Sequence, residues 1–174
     1  CKSIKEITLS DSVKEIGAEA FHGAHIEKVN FGDGLEIIFD GAFCRSNLKE
    51  IVIPEGIKII RRHTFMDCKQ LQYVKLPDTL STIDYASFEC CSALEKVDFG
   101  YGVQTIRFEG FSNCKMLREI TLPVSLKTIE KTAFAKIPFR SVDFMNFIGW
   151  QLETERYLKK PKIKKINKKL LKIP

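Results

Sequence analysis

Leu71-Gln72-Tyr73-Val74-Lys75-Leu76-Pro77-Asp78-Thr79-Leu80-Ser81-Thr82-Ile83-Asp84-Tyr85-Ala86-Ser87-Phe88-Glu89-Cys90-Cys91 is the stretch on which the fold turns. Its apolar residues stand at fixed places: Leu71, Val74, Leu76, Leu80, Ile83, Phe88 and Cys91. The same frame returns downstream as Leu94, Val97, Phe99, Val103, Ile106, Phe111 and Cys114, then as Leu117, Ile120, Leu122, Leu126, Ile129 and Phe134. Upstream copies start at Ile4, Ile26 and Leu48, and a partial one holds Phe139, Val142 and Phe144. The phenylalanines Phe21, Phe43, Phe65, Phe88, Phe111 and Phe134 recur every 22 or 23 residues. Self-similarity at this period is the signature of a stacked repeat protein.

Each part of the unit carries its own expectation. Val74-Lys75-Leu76 alternates apolar and polar residues, which is strand periodicity. Stacked copies of such a strand pair in parallel at about 4.8 Å. Pro54, Pro77 and Pro123, or Gly32/Gly34 and Gly100/Gly102, follow the strand as turn chemistry. Proline presets φ, and glycine permits positive φ. The next two apolar residues, Leu80 and Ile83 in the quoted copy, re-enter the core from the opposite side. The Ala-Phe-x-x-Cys segment is expected to close the coil as a short helical or 3₁₀ turn. One such coil cannot bury its own apolar side, so neighbours must stack.

The 174 residues suffice for one ordinary domain, and 44% apolar with 29% charged residues is a globular composition. No apolar run approaches the ~20 residues of a membrane helix, and no basic-then-apolar leader opens the chain. The net charge of +6 is uneven. Residues 153–174 hold Arg156 and eight lysines against Glu153 and Glu155, so the preceding repeat body is close to neutral. Of six cysteines, Cys1, Cys68, Cys91 and Cys114 share one repeat position, three residues after the phenylalanine or its counterpart. That register reads as a small buried apolar side chain, with disulfide bonding as the alternative. Cys1-Lys-Ser-Ile4 matches Cys68-Lys-Gln-Leu71, so further repeats or a cap are expected before Cys1; a lipoprotein's leading cysteine is the other reading.

The L-x-x-I-x-L-P, L-x-x-I and A-F-x-x-C-x-x-L segments, as from Leu71 through Leu94, resemble the leucine-rich repeats of the BspA-like (Treponema pallidum-type) class. The resemblance covers residues 1 to about 144. Departures are Ala24 and Ile137 in the cysteine register, two early units one residue short, and Thr64, Ser87 and Gly110 in place of the alanine before phenylalanine. The resemblance implies a repeat solenoid, α/β or mainly β. It would have about six 22–23-residue coils, a parallel sheet on the concave side and short helical or 3₁₀ turns elsewhere. It also implies kinship with surface or secreted proteins, several of them adhesins.

Two domains are expected: the solenoid over 1–152 and a basic segment over 153–174, a cap or degenerate repeat. The expected function is a non-catalytic protein-binding module, adhesin-like, at the cell surface or secreted. The alternative is a cytoplasmic scaffold or tether that uses the basic segment on anionic membrane or acidic partners. A repeat domain attached to an enzyme is a third reading. On the sheet, the outward residues between apolar ones form the candidate binding face: Glu50, Val52, Tyr73, Lys75, Lys96, Asp98, Glu119 and Thr121. It reads equally as a solvated face of mixed charge, with Tyr73 its one aromatic. In the basic segment the candidates for polyanion contact are Lys159, Lys160, Lys162, Lys164, Lys165, Lys168, Lys169 and Lys172. Ile163, Ile166, Leu170 and Ile173 there fall on one helical face, and Trp150 is expected to pack at that end. Specific nucleic-acid binding is not expected, because lysine dominates and aromatic interleaving is limited to Tyr157. No phosphate-loop, zinc-protease or nucleophile-elbow motif occurs, and His22, His25 and His63 sit at variable coil positions, so no catalytic, cofactor or metal residue is assigned.

Overall fold

The repeat phenylalanines stack into a single column. In the computed structural model, which describes residues 4–144, successive rings of Phe21, Phe43, Phe65, Phe88, Phe111 and Phe134 lie 5.0–5.5 Å apart, within 11° of parallel. Isolated aromatic pairs favour offset or edge-on arrangements. Here the coil spacing of about 4.8 Å imposes the stack. Phe31 and Phe99 then meet the column edge-on, at 6.0 and 5.9 Å. Leu71, Val74, Leu80, Ile83, Phe88 and Cys91 are all fully buried, as the repeat frame requires.

Thirteen strands and no helix occur among the described residues. They are β1 (Glu6–Thr8), β2 (Glu15–Ile16), β3 (Lys28–Asn30), β4 (Ile37–Ile38), β5 (Glu50–Val52), β6 (Ile59–Ile60), β7 (Tyr73–Lys75), β8 (Thr82–Ile83), β9 (Lys96–Asp98), β10 (Thr105–Ile106), β11 (Glu119–Leu122), β12 (Thr128–Ile129) and β13 (Ser141–Phe144). The odd-numbered strands are the predicted ones. They pair in parallel as β1–β3, β5–β7–β9 and β11–β13. The even-numbered strands build a second parallel ladder, β2–β4 and β6–β8–β10–β12, from the second half of each unit. Each turns one isoleucine inward, fully buried in Ile60, Ile83 and Ile106 and partly buried in Ile129, and faces its other residue outward. The protein is thus a repeat solenoid with two parallel ladders around one core.

The segment around each phenylalanine differs in detail from the expected helical turn. It is a strip of tandem turns with positive φ two residues before and two after the ring: Ala86 (51°) and Cys90 (61°) around Phe88, Glu109 (59°) and Asn113 (62°) around Phe111. The same pair of positions recurs from Glu19 and Gly23 to Thr132 and Lys136. Left-handed backbone is uncommon for residues with a side chain. The reason lies in the next coil: Ala86 N–H donates to Phe108 O at 3.0 Å, Phe88 N–H to Gly110 O at 2.8 Å and Cys90 N–H to Ser112 O at 2.9 Å. Intervening amides turn inward, as Glu89 N–H does to Ala86 O at 3.2 Å. Alternating hand therefore aims every second amide along the solenoid axis, and the lateral bonds offset the strain.

Hydroxyls replacing alanine before phenylalanine are satisfied inside the coil. Thr64 Oγ1 donates to Arg61 O at 2.8 Å and Ser87 Oγ to Asp84 O at 2.7 Å. The G-x-G turns serve a different need from the one expected. Gly34 and Gly102 do not use positive φ; a Cβ on them would stand 1.8 Å from Asp11 O and 2.0 Å from Asp78 O of the preceding coil. Close approach of backbones, not backbone hand, excludes a side chain there. Cys44, Cys68, Cys90, Cys91 and Cys114 are free thiols. Cys68, Cys91 and Cys114 donate to the carbonyls of Phe43, Phe65 and Phe88 at 3.1–3.2 Å, and burial raises all three thiol pKa values, that of Cys68 to about 11. They are unreactive core groups. Cys1, Trp150 and the whole of 153–174 lie outside the described residues.

Candidate binding surfaces

Two outward faces flank the core, one over each ladder. On the first, strand register brings all the candidate sheet residues to one side. Glu50 stands opposite Tyr73 and Val52 opposite Lys75; Tyr73 and Lys75 stand opposite Lys96 and Asp98. Glu119 and Thr121 continue the two columns opposite Ser141 and Asp143. The alternating residues Ile51, Val74, Val97 and Ile120 point into the core and fix the outward set.

This face is largely self-paired. Tyr73 donates its hydroxyl to Asp98 Oδ2 at 2.6 Å, and Lys96 Nζ reaches the same carboxylate at 2.9 Å while lying 5.3 Å from the Tyr73 ring centroid. The hydrogen bond to Asp98 pushes the Tyr73 phenol up to about 12. Asp98 titrates below the ordinary range: burial works against its charge, while Tyr73 and Lys96 hold it ionised. Lys28 lies 3.9 Å from both Glu6 and Glu50, and Asn30 donates to Glu6 at 2.8 Å and Thr8 at 3.2 Å. Along its flank Glu27 sits between Lys5 and Lys49, whose bonds lower its carboxyl to about 2. Val52, 52% exposed, is the apolar side chain standing free on this sheet.

The second face was not singled out from sequence. Its outward positions in the middle coils are Ile37, Phe39, Ile59 and Arg61, followed at the coil edge by Arg62, Tyr85 and Phe108. The Arg61 guanidinium lies 5.3 Å from the Phe39 ring centroid, and that of Arg62 lies 5.8 Å from the Tyr85 ring. His63 meets the same tyrosine edge-on at 5.1 Å. Ile59 and Phe108 are exposed, at 39% and 47%. Repeat offset alone places Phe39 beside Arg61 and Arg62 beside Tyr85, so the arrangement could have been found by carrying the register past the first strand. His22 and His25 are solvent-exposed, remote from any ligand-like cluster.

A third feature is a notch of about 310 Å³ beside the short early units, lined by Arg45, Ser46, Asn47, Asp67, Lys69 and Gln70. Its cations are already engaged: Arg45 and Lys69 each lie 3.5 Å from Asp67. Among the described residues no group of three His, Cys, Asp or Glu side chains could hold a metal ion. The lysine candidates from Lys159 to Lys172 lie outside the described residues.

The profile of the BspA type leucine rich repeat region matches residues 1–58 and 36–153, in six copies. Among solved structures, a leucine-rich repeat protein from Eubacterium ventriosum is 23% identical over 84% of this chain and 45% of that one, with a TM-score of 0.64. The T. pallidum leucine rich repeat protein is 26% identical over 82% of this chain and 59% of that one, TM-score 0.59. A leucine rich cell surface protein from Faecalibacterium prausnitzii is 16% identical over 84% and 61%, TM-score 0.52. The chain thus spans about half the length of these three structures. No curated protein matches the sequence.

Proposed function

The chain belongs to the BspA-type leucine-rich repeat family, and from that premise we propose that it is a non-catalytic protein-binding module, adhesin-like, that works at a cell surface. The observation that carries the reading is the first-sheet face. Coil after coil presents two side-chain columns in fixed register, from Glu50 to Thr121, over a core that cannot shift without breaking the phenylalanine column. A surface preorganised in this way spends little entropy on ordering when a partner docks. Val52 and Thr121, outside the Tyr73–Lys96–Asp98 cluster, and Lys75, exposed at its edge opposite Asp98, are the side chains best placed to touch a partner. The surface location leans on the Faecalibacterium prausnitzii protein, a leucine rich cell surface protein whose fold this chain shares.

The test is binding of the full chain to a panel of extracellular matrix proteins and to anionic vesicles, at low and high salt. The variants are Val52→Glu with Lys75→Glu on the sheet, and glutamine at the eight candidate lysines of 159–172. Salt-resistant protein binding lost in the sheet variant supports the module. Vesicle binding alone, lost with salt or with the lysines, would replace it by a tether acting through the basic segment.

A further inference from the structure

β13 lays the first strand of a seventh coil on β11, but the second ladder stops at β12. Side chains that are sealed in the middle coils are therefore less covered at this end. Ile129 is only partly buried, where Ile60, Ile83 and Ile106 in its register are fully buried. Ile137 and Phe139 are likewise partly buried, where Cys91 and Cys114 in the one register and Leu94 and Leu117 in the other are fully buried. The backbone repeats the contrast. Phe111 N–H donates to Ala133 O and Asn113 N–H to Ala135 O of the following coil, both at 2.8 Å. Their counterparts, Phe134 N–H and Lys136 N–H, have no acceptor among the described residues. Thr132 and Lys136 nevertheless keep the left-handed backbone, at 71° and 60°, that such lateral bonds offset in the earlier coils. An apolar end with amides aimed out of it calls for one more layer of backbone.

The chain that follows β13 carries the matching frame. In the described coils the core residues after the first strand keep fixed intervals, as in Leu122, Leu126, Ile129 and Phe134. From Phe144 the same intervals reach Ile148, then Leu152 and Tyr157 with one residue inserted before Leu152. From Tyr157 the spacing of Phe88, Leu94 and Val97 returns in Ile163 and Ile166. We infer that residues 145–166 complete the seventh coil and cap the solenoid, with Leu152 over Ile129, Tyr157 over Phe134 as a further ring in the column, and Ile163 and Ile166 over Phe139 and Val142. Residues 145–174 outnumber the 22 or 23 of one coil, and their direct connection to β13 favours them over a second copy seated end-on. The added coil also ends the stack. Its register puts Lys160 in the column of Cys114 and Ile137, and Lys168 in that of Leu122 and Phe144, where the described coils carry uncharged side chains. Charges in inward columns oppose the addition of another layer. With Ile163 and Ile166 in the core, the lysines around them form a solvent-facing basic end rather than one side of a membrane-inserting helix. The inference concerns the end of the stack and is independent of the proposed first-sheet function.

Hydrogen exchange of the full chain, followed amide by amide, tests the cap. Phe134 N–H and Lys136 N–H are expected to be protected, as Phe111 N–H and Asn113 N–H are, and at every protein concentration. Leu152→Asp and Tyr157→Asp are each expected to abolish that protection. The Phe88 and Cys90 amides keep theirs in both variants, which shows that the body of the solenoid is still folded. Tyr157→Phe, which keeps the ring, retains the protection, and Leu158→Asp, one residue out of register, leaves it unchanged. Exposed-like exchange of Phe134 and Lys136 in the wild type overturns the inference, as does protection that survives both aspartates. Protection that grows with protein concentration assigns the end to a second copy and overturns it too. An effect of Leu158→Asp equal to that of Tyr157→Asp overturns the register on which the cap is built.

Discussion

The two faces of this solenoid are built from the same register and settle their charges differently. On the first, residues one coil apart are Glu6, Lys28 and Glu50, or Tyr73, Lys96 and its neighbour Asp98, and they neutralise one another. On the second, Arg61 stands between Phe39 and Asp84 and Arg62 between Asp40 and Tyr85, and both guanidiniums lie on the rings while Asp84 pairs with Arg107. In a stacked repeat the neighbour at 22 or 23 residues decides whether a surface satisfies itself. A face whose columns alternate in sign is solvated and stable. A face whose columns mix rings with charges lets an arginine lie on the ring of one coil rather than pair with the carboxylate of the other. Surface composition averages over both cases and distinguishes neither.

The comparison breaks most severely at what the faces share. Phe88→Ala removes a fully buried ring from the middle of the column and is expected to cost about 3–5 kcal/mol, with both faces failing together in denaturant melts. A loss below about 1 kcal/mol would sink the shared-column picture. Tyr73→Phe acts on the first face alone. It removes the hydroxyl from Asp98, and because the site is partly solvated the cost is expected near or below about 1 kcal/mol. The removal of Arg61 and Arg62 side chains together should change stability by no more than about 0.5–1 kcal/mol, since they pair with nothing in the described fold. A larger loss in thermal melts would mean that the second face is structural after all. The smallest effect is expected in acid. Glu27 titrates at about 2 in the fold against an ordinary 4.5, so its ion pairs with Lys5 and Lys49 stabilise fully above that ordinary value and fade as pH falls towards 2. The difference in melting temperature between wild type and Glu27→Gln should therefore shrink over that window.

Much of this was legible from Leu71 to Cys91. Apolar spacing located the core residues, the first ladder and both outward columns, because a repeat multiplies each weak local signal by its copy number. The second ladder was less visible. Its strands are two residues long, as at Thr82–Ile83, too short for periodicity to separate from a loop. The tandem turns hid for another reason: Glu109, Asn113 and Cys90 carry no compositional mark of left-handed backbone. The glycines at 34 and 102 were recognised as turn residues on the wrong ground, since their constraint comes from the previous coil.

The sequence by itself determined the period, the phenylalanine column, the burial of the register cysteines and the side of the first sheet that faces out. All of these follow from which side chains leave water, and burial is written in residue type. Only the tertiary structure decided what depends on the neighbouring coil. That is the alternating backbone hand held by lateral amide bonds, the exclusion of a Cβ at Gly34 and Gly102, and the contrast between paired charges on one face and ring-backed arginines on the other. Those features depend on distances between residues a full coil apart, and such distances are set only when the coils are stacked.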